Sequence, residues 1–71
     1  MNIAIDTEKI GKHLVRLGTK MNLDINDRIF RVEYYIIMGF IEALEIPCEV
    51  EWDKQTEQMK TVIVAGERYE L

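Results

Sequence analysis

His13 and Cys48 are the side chains of this sequence best suited to nucleophilic chemistry, and the chain has one of each residue type. A thiolate forms at neutral pH beside a base or a cation, so a Cys48–His13 dyad would need the fold to join two distant positions. Cys48 alternates with Val50 and Trp52 along an apolar strand face, where a thiol behaves as a small hydrophobe. The sequence therefore gives Cys48 a structural place and names no catalytic residue. One cysteine and one histidine exclude an internal disulfide and leave a closed metal site short of donors. Glu49, Glu51 and Asp53 put carboxylates on one strand face at spacings of about 6.8 Å. A flat strand does not wrap a cation as a loop does, and these groups read as solvated charge that protects a sheet edge. The chain has no phosphate-binding loop, dinucleotide fingerprint, zinc spacing or nucleophile elbow. The expectation is a protein that is not an enzyme and carries no cofactor or metal.

Binding chemistry is better represented. Lys9, Lys12, His13, Arg16 and Lys20 fall within about 100° of one another on a helical wheel. The first 23 residues hold Lys9, Lys12, Arg16 and Lys20 against Asp6 and Glu8, leaving five of the nine basic and eleven of the 13 acidic side chains to the remainder. Such a face is ordinarily a solvated helix surface whose lysine stems cover apolar neighbours. Its functional alternatives are an anionic small molecule or an acidic protein surface, with Lys12, Arg16 and Lys20 as the candidate contacts. No aromatic residue interleaves with these cations to stack a base. With a net charge of −4, nucleic acid is not an expected partner.

The elements that must position these groups are legible from periodicity. Ile10, Leu14, Leu17 and Met21 form one helical stripe between Asp6 and about Met21, with Asp6 or Thr7 as N-cap. Gly18 either ends this helix or lies where another backbone comes close. Asn22 to Asn26 is a linker in which Asp24 or Asn26 caps a second helix, from about Asp27 to Glu45, with Asp24 and Asp27 adding charge to its first turn. Pro47 halts it. From Cys48 the period becomes two: Cys48 to Trp52 is a strand, Lys54 to Gln58 a polar turn and Met59 to Ala65 a second strand. A turn through Gly66 leads to a third, Arg68 to Leu71. The fold class is α+β, two helices followed by a three-stranded antiparallel meander, as one domain over residues 1–71.

The segments Val50-Glu51-Trp52-Asp53 and Lys60-Thr61-Val62-Ile63-Val64-Ala65-Gly66-Glu67-Arg68-Tyr69-Glu70-Leu71 resemble the C-terminal hairpins of short uncharacterised phage and prophage proteins. Those carry a "V-E-Y-D…T-G…V-x-V-x-G-x-x-Y-x-L" pattern after a helical start. The likeness covers about a third of the chain and implies a viral origin, with no catalytic residue. Glu57 stands where the pattern expects glycine, which implies a longer or differently shaped turn.

On the second helix, Asp27, Arg28, Arg31, Glu42 and Glu45 share a polar sector, joined by Tyr35. Ile29, Val32, Ile36, Phe40 and Ala43 form one apolar stripe, and Phe30, Tyr34, Ile37, Ile41 and Leu44 a second beside it. The apolar arc spans about 220°, twice what a surface helix needs. Glu33 interrupts it, reaching solvent or meeting His13, Arg16 or a tyrosine hydroxyl. Arg31, Glu33 and Tyr35 join the candidate contacts.

Seventy-one residues, 48% of them hydrophobic, make a folded chain. Folding would reduce its accessible surface from roughly 12,000 to roughly 4,600 Å². Apolar burial then contributes about 110 kcal/mol, and ordering the chain costs about as much. A lone monomer is marginal, and self-association is the remedy left. The stripe Phe30, Tyr34, Ile37, Ile41 and Leu44 is the expected shared surface. The leading expectation is a self-associating protein-interaction module from a phage or mobile element that inhibits or tunes a host protein. The alternative is a protein that sequesters an anionic metabolite or nucleotide on the basic face of helix 1. No apolar run approaches a membrane span and the start lacks a signal-peptide pattern. With one unpaired cysteine, the expected location is the cytoplasm.

Overall fold

A computed structural model describes residues 5–24, 26 and 28–71. Asp27, assigned above to the start and polar sector of the second helix, lies outside them.

The order is α1 (Thr7–Leu23), α2 (Arg28–Ala43), β1 (Cys48–Trp52), β2 (Met59–Val64) and β3 (Glu67–Glu70), with the strands in the sheet order β1-β2-β3. This is the α+β meander that the change of period implies. Asp6 caps α1: its Oδ1 accepts from the Glu8 and Lys9 amides at 3.0 and 3.2 Å, holding donors that the helix leaves free. Gly18 does not end α1, which continues to Leu23. A Cβ at Gly18 would run into the Met59 sulfur, and one at Gly11 into the Tyr69 ring. Both glycines let the helix backbone lie close on the sheet.

In the linker, Asp24 accepts from the Asn26 amide at 3.0 Å. At the other end of α2, the Glu45 amide donates to the Glu42 carbonyl at 3.0 Å and the Ile46 amide to the Ile41 carbonyl at 3.1 Å. That pair of bonds is a Schellman motif, with Glu45 at φ 55 in the place glycine usually takes. The chain thus turns out of α2 before Pro47, which needs only to prevent re-entry.

β1 and β2 pair from Cys48↔Val64 to Trp52↔Met59, with a register shift between Glu51 and Trp52. The connection holds Glu57 in the left-handed region, at φ 60, without glycine. Asp53 stabilises it by accepting from the Gln55 and Thr56 amides at 2.8 and 3.2 Å, and these bonds hold its carboxyl below the usual range. β2 and β3 join through Ala65 and Gly66, both at positive φ, as a tight right-twisted hairpin requires.

Leu14, Leu17, Met21, Tyr34, Ile41, Met59, Val62 and Val64 form the buried core. α1 packs on β2, β3 and α2, and Tyr34 of α2 reaches Trp52 of β1. Trp52 was expected on the buried face of β1 but is 41% exposed. It follows the register shift at the end of an edge strand, and its ring stands at 88° to that of Tyr34 in an edge-to-face pair, with centroids 6.0 Å apart. Among the described residues, no helix is long and apolar enough to cross a membrane.

Candidate interaction surface

α2 carries two apolar stripes, and α1 covers one of them. Tyr34 and Ile41 are buried, and Phe30, Ile37 and Met38 pack against the same core. The expectation that Phe30, Tyr34, Ile37, Ile41 and Leu44 form a shared surface is therefore corrected. The first four belong to this chain's own core, and Leu44 alone stays largely exposed. The reason is geometric, because one helix lying on another covers one stripe.

The outward stripe is the one containing Ile29, Val32, Ile36 and Phe40, which are 55–77% exposed. Gly39 and Ala43 lie on the same side of the helix and are exposed. A Cβ at Gly39 would meet nothing within 4 Å. Tyr35, 63% exposed, flanks the stripe beside Arg28 and Glu42. Within α2 the first turn has no acidic residue and the last turn no basic one. Arg28 and Arg31 stand at the start of the helix and Glu42 near its end, which opposes the helix dipole.

The basic face of α1 is partly engaged within the chain. Lys12 pairs with Glu8 at 2.8 Å, which raises the lysine pKa. The Lys20 ammonium lies 4.8 Å from the centroid of the Phe30 ring, a cation–π contact that also covers the aromatic. His13 and Glu33 approach to 3.8 Å across the two helices with both side chains partly exposed, so Glu33 reaches solvent and meets His13. Arg16 is exposed. The surface clefts are lined by Asp6, Glu8 and Glu67 in one case, by Asn22, Asp53 and Gln58 in a second, and by Arg31 and Trp52 in a third. Lys12, Arg16 and Lys20 line none of these three.

The outer sheet face is tied together by Arg68. Its guanidinium reaches Glu51 at 3.1 Å and Glu70 at 2.7 Å, and the Thr61 hydroxyl donates to Glu70 at 3.1 Å. The Arg68 and Thr61 bonds hold the Glu70 carboxyl below its ordinary range, and Thr61 is fully buried beneath them. The acidic face of β1 is therefore a cross-strand clamp in part. Cys48 is half-buried, its electrostatic neighbours are Tyr34 and Glu49, and burial pushes its thiol up.

Ile29, Val32, Ile36 and Phe40 were visible in the sequence as a stripe but not as the exposed one. Gly39 was the available signal, a helix-weakening residue on the side that no core neighbour occupies. In comparisons with known proteins, the chain matches no family model, no curated protein and no solved structure.

Proposed function

We propose that this chain is a non-enzymatic protein-interaction module that self-associates through the outward stripe of α2. The observation that carries the reading is the row Ile29, Val32, Ile36 and Phe40, exposed on an ordered helix. Scaled by side-chain size, these exposures and that of Leu44 amount to about 600 Å² per protomer. A symmetric pair would then bury about 1,200 Å², the lower edge of the range for stable interfaces. The likeness of the C-terminal hairpin to phage and prophage proteins extends the reading to an assembled unit that binds and tunes a host protein. Sequestration of an anionic small molecule has less behind it, because Lys12 and Lys20 are engaged within the chain.

Light scattering tests the reading. At about 100 μM the chain should have twice its 8.4 kDa mass. Val32→Asp or Phe40→Asp should return it to the monomer with its circular dichroism unchanged. A wild-type mass of 8.4 kDa at that concentration refutes the proposal.

A further inference from the structure

Resting on that self-association, we infer that two copies pair with their α2 helices antiparallel, about a two-fold axis at Ile36. The first support is the charge order. Arg28 sits at the positive end of the α2 dipole and Glu42 towards the negative end, an order that opposes the dipole. An antiparallel copy brings its Glu42 alongside the Arg28 turn and reverses the dipole beside it. The two-fold repeats this at the other end. A parallel copy would set arginine against arginine and glutamate against glutamate.

The second support is the order of side-chain sizes. Ile36 is at the middle of Arg28–Ala43, with Val32 one helical turn before it and Phe40 one turn after. Antiparallel pairing sets the small Val32 against the large Phe40 of the second copy, twice, and Ile36 against its own equivalent. Parallel pairing would stack Phe40 on Phe40. The third is Gly39, exposed on this side of the helix with open space where a Cβ would stand. Among the described residues nothing within 4 Å requires a glycine there, whereas a close second backbone would. The stripe area, about 600 Å² per copy, suits a pair of helices of this length and implies a modest, concentration-dependent dimer.

Cysteine cross-linking reads the orientation. In a Cys48→Ala background, Ile36→Cys should oxidise readily to a covalent dimer. Val32→Cys or Phe40→Cys alone should do so poorly. Each lies about 6 Å along the helix from the axis, so like residues are about 12 Å apart, beyond disulfide reach. Val32→Cys mixed with Phe40→Cys should cross-link. Independently, Glu42→Arg and Arg28→Glu should each weaken the homodimer about tenfold, and mixing the two should restore association. Self-cross-linking of all three cysteine variants would mean a parallel pair, overturning this inference and leaving self-association standing. A wild-type dimer in which none of them cross-links would overturn the α2 surface and its orientation together. A wild-type monomer would sink the underlying reading itself.

Discussion

Gly11→Ala adds one methyl group to the surface of α1 that lies on the sheet. The new Cβ would stand 2.6 Å from Tyr69 Cζ and 2.7 Å from Cδ2, against an ordinary carbon contact of about 3.5–4.0 Å. An aromatic ring cannot yield by turning a flexible end, so the ring or the helix must move by about 1 Å. Overpacking of this kind costs about 1–3 kcal/mol, and three ring atoms in collision place it high in that range. Alanine returns about 1 kcal/mol of helix propensity. The net expectation is a loss of about 1–2 kcal/mol, a fall in melting temperature of roughly 5–15 °C for a domain this small. Thermal circular dichroism in dilute solution measures it. Gly39→Ala is the matched control, since its Cβ meets nothing within 4 Å. It should gain about 1 kcal/mol and melt roughly 4–8 °C higher. In a double-mutant cycle, Tyr69→Ala should remove most of the penalty of Gly11→Ala. Equal shifts of the same sign for the two glycine variants would refute the seating of Tyr69 on α1.

Glu45→Gly and Glu57→Gly should each raise stability by about 1 kcal/mol in urea unfolding, because both positions hold a left-handed backbone that a side chain resists. Cys48 should react slowly with alkylating reagents near neutral pH, since burial raises its pKa. The same shift makes stability fall as pH rises through the alkaline thiol range, a limb that Cys48→Ala should abolish at a cost of about 1 kcal/mol. Asp53 and Glu70 have lowered pKa values, so their stabilisation is present above about pH 4 and lost as pH falls through the folded values. Asp53→Asn should flatten that acid limb in urea midpoints followed from about pH 6 down to about pH 2.

The amino-acid sequence specifies the elements and their order, because these rest on local physics. A helical period before Pro47 and an alternating one after Cys48 specify two helices and a meander whatever they pack on. The cap at Asp6 is equally local, as is the hairpin through Gly66. It had less to say where a decision depended on a distant neighbour. Gly18 reads as a helix stop or as a close approach, and only Met59, contributed by β2, decides for the second. Glu45 and Glu57 take positive φ without glycine, since bonds closed by the surrounding turns outweigh the preference of one residue. The same holds for α2. Its two stripes are nearly equal in hydrophobicity, so composition cannot rank them. The packing of α1 buried Tyr34 and Ile41 and left Ile36 and Phe40 outside. Which apolar face of a helix stays exposed is a property of the layer beside it, and that layer exists only in the tertiary structure.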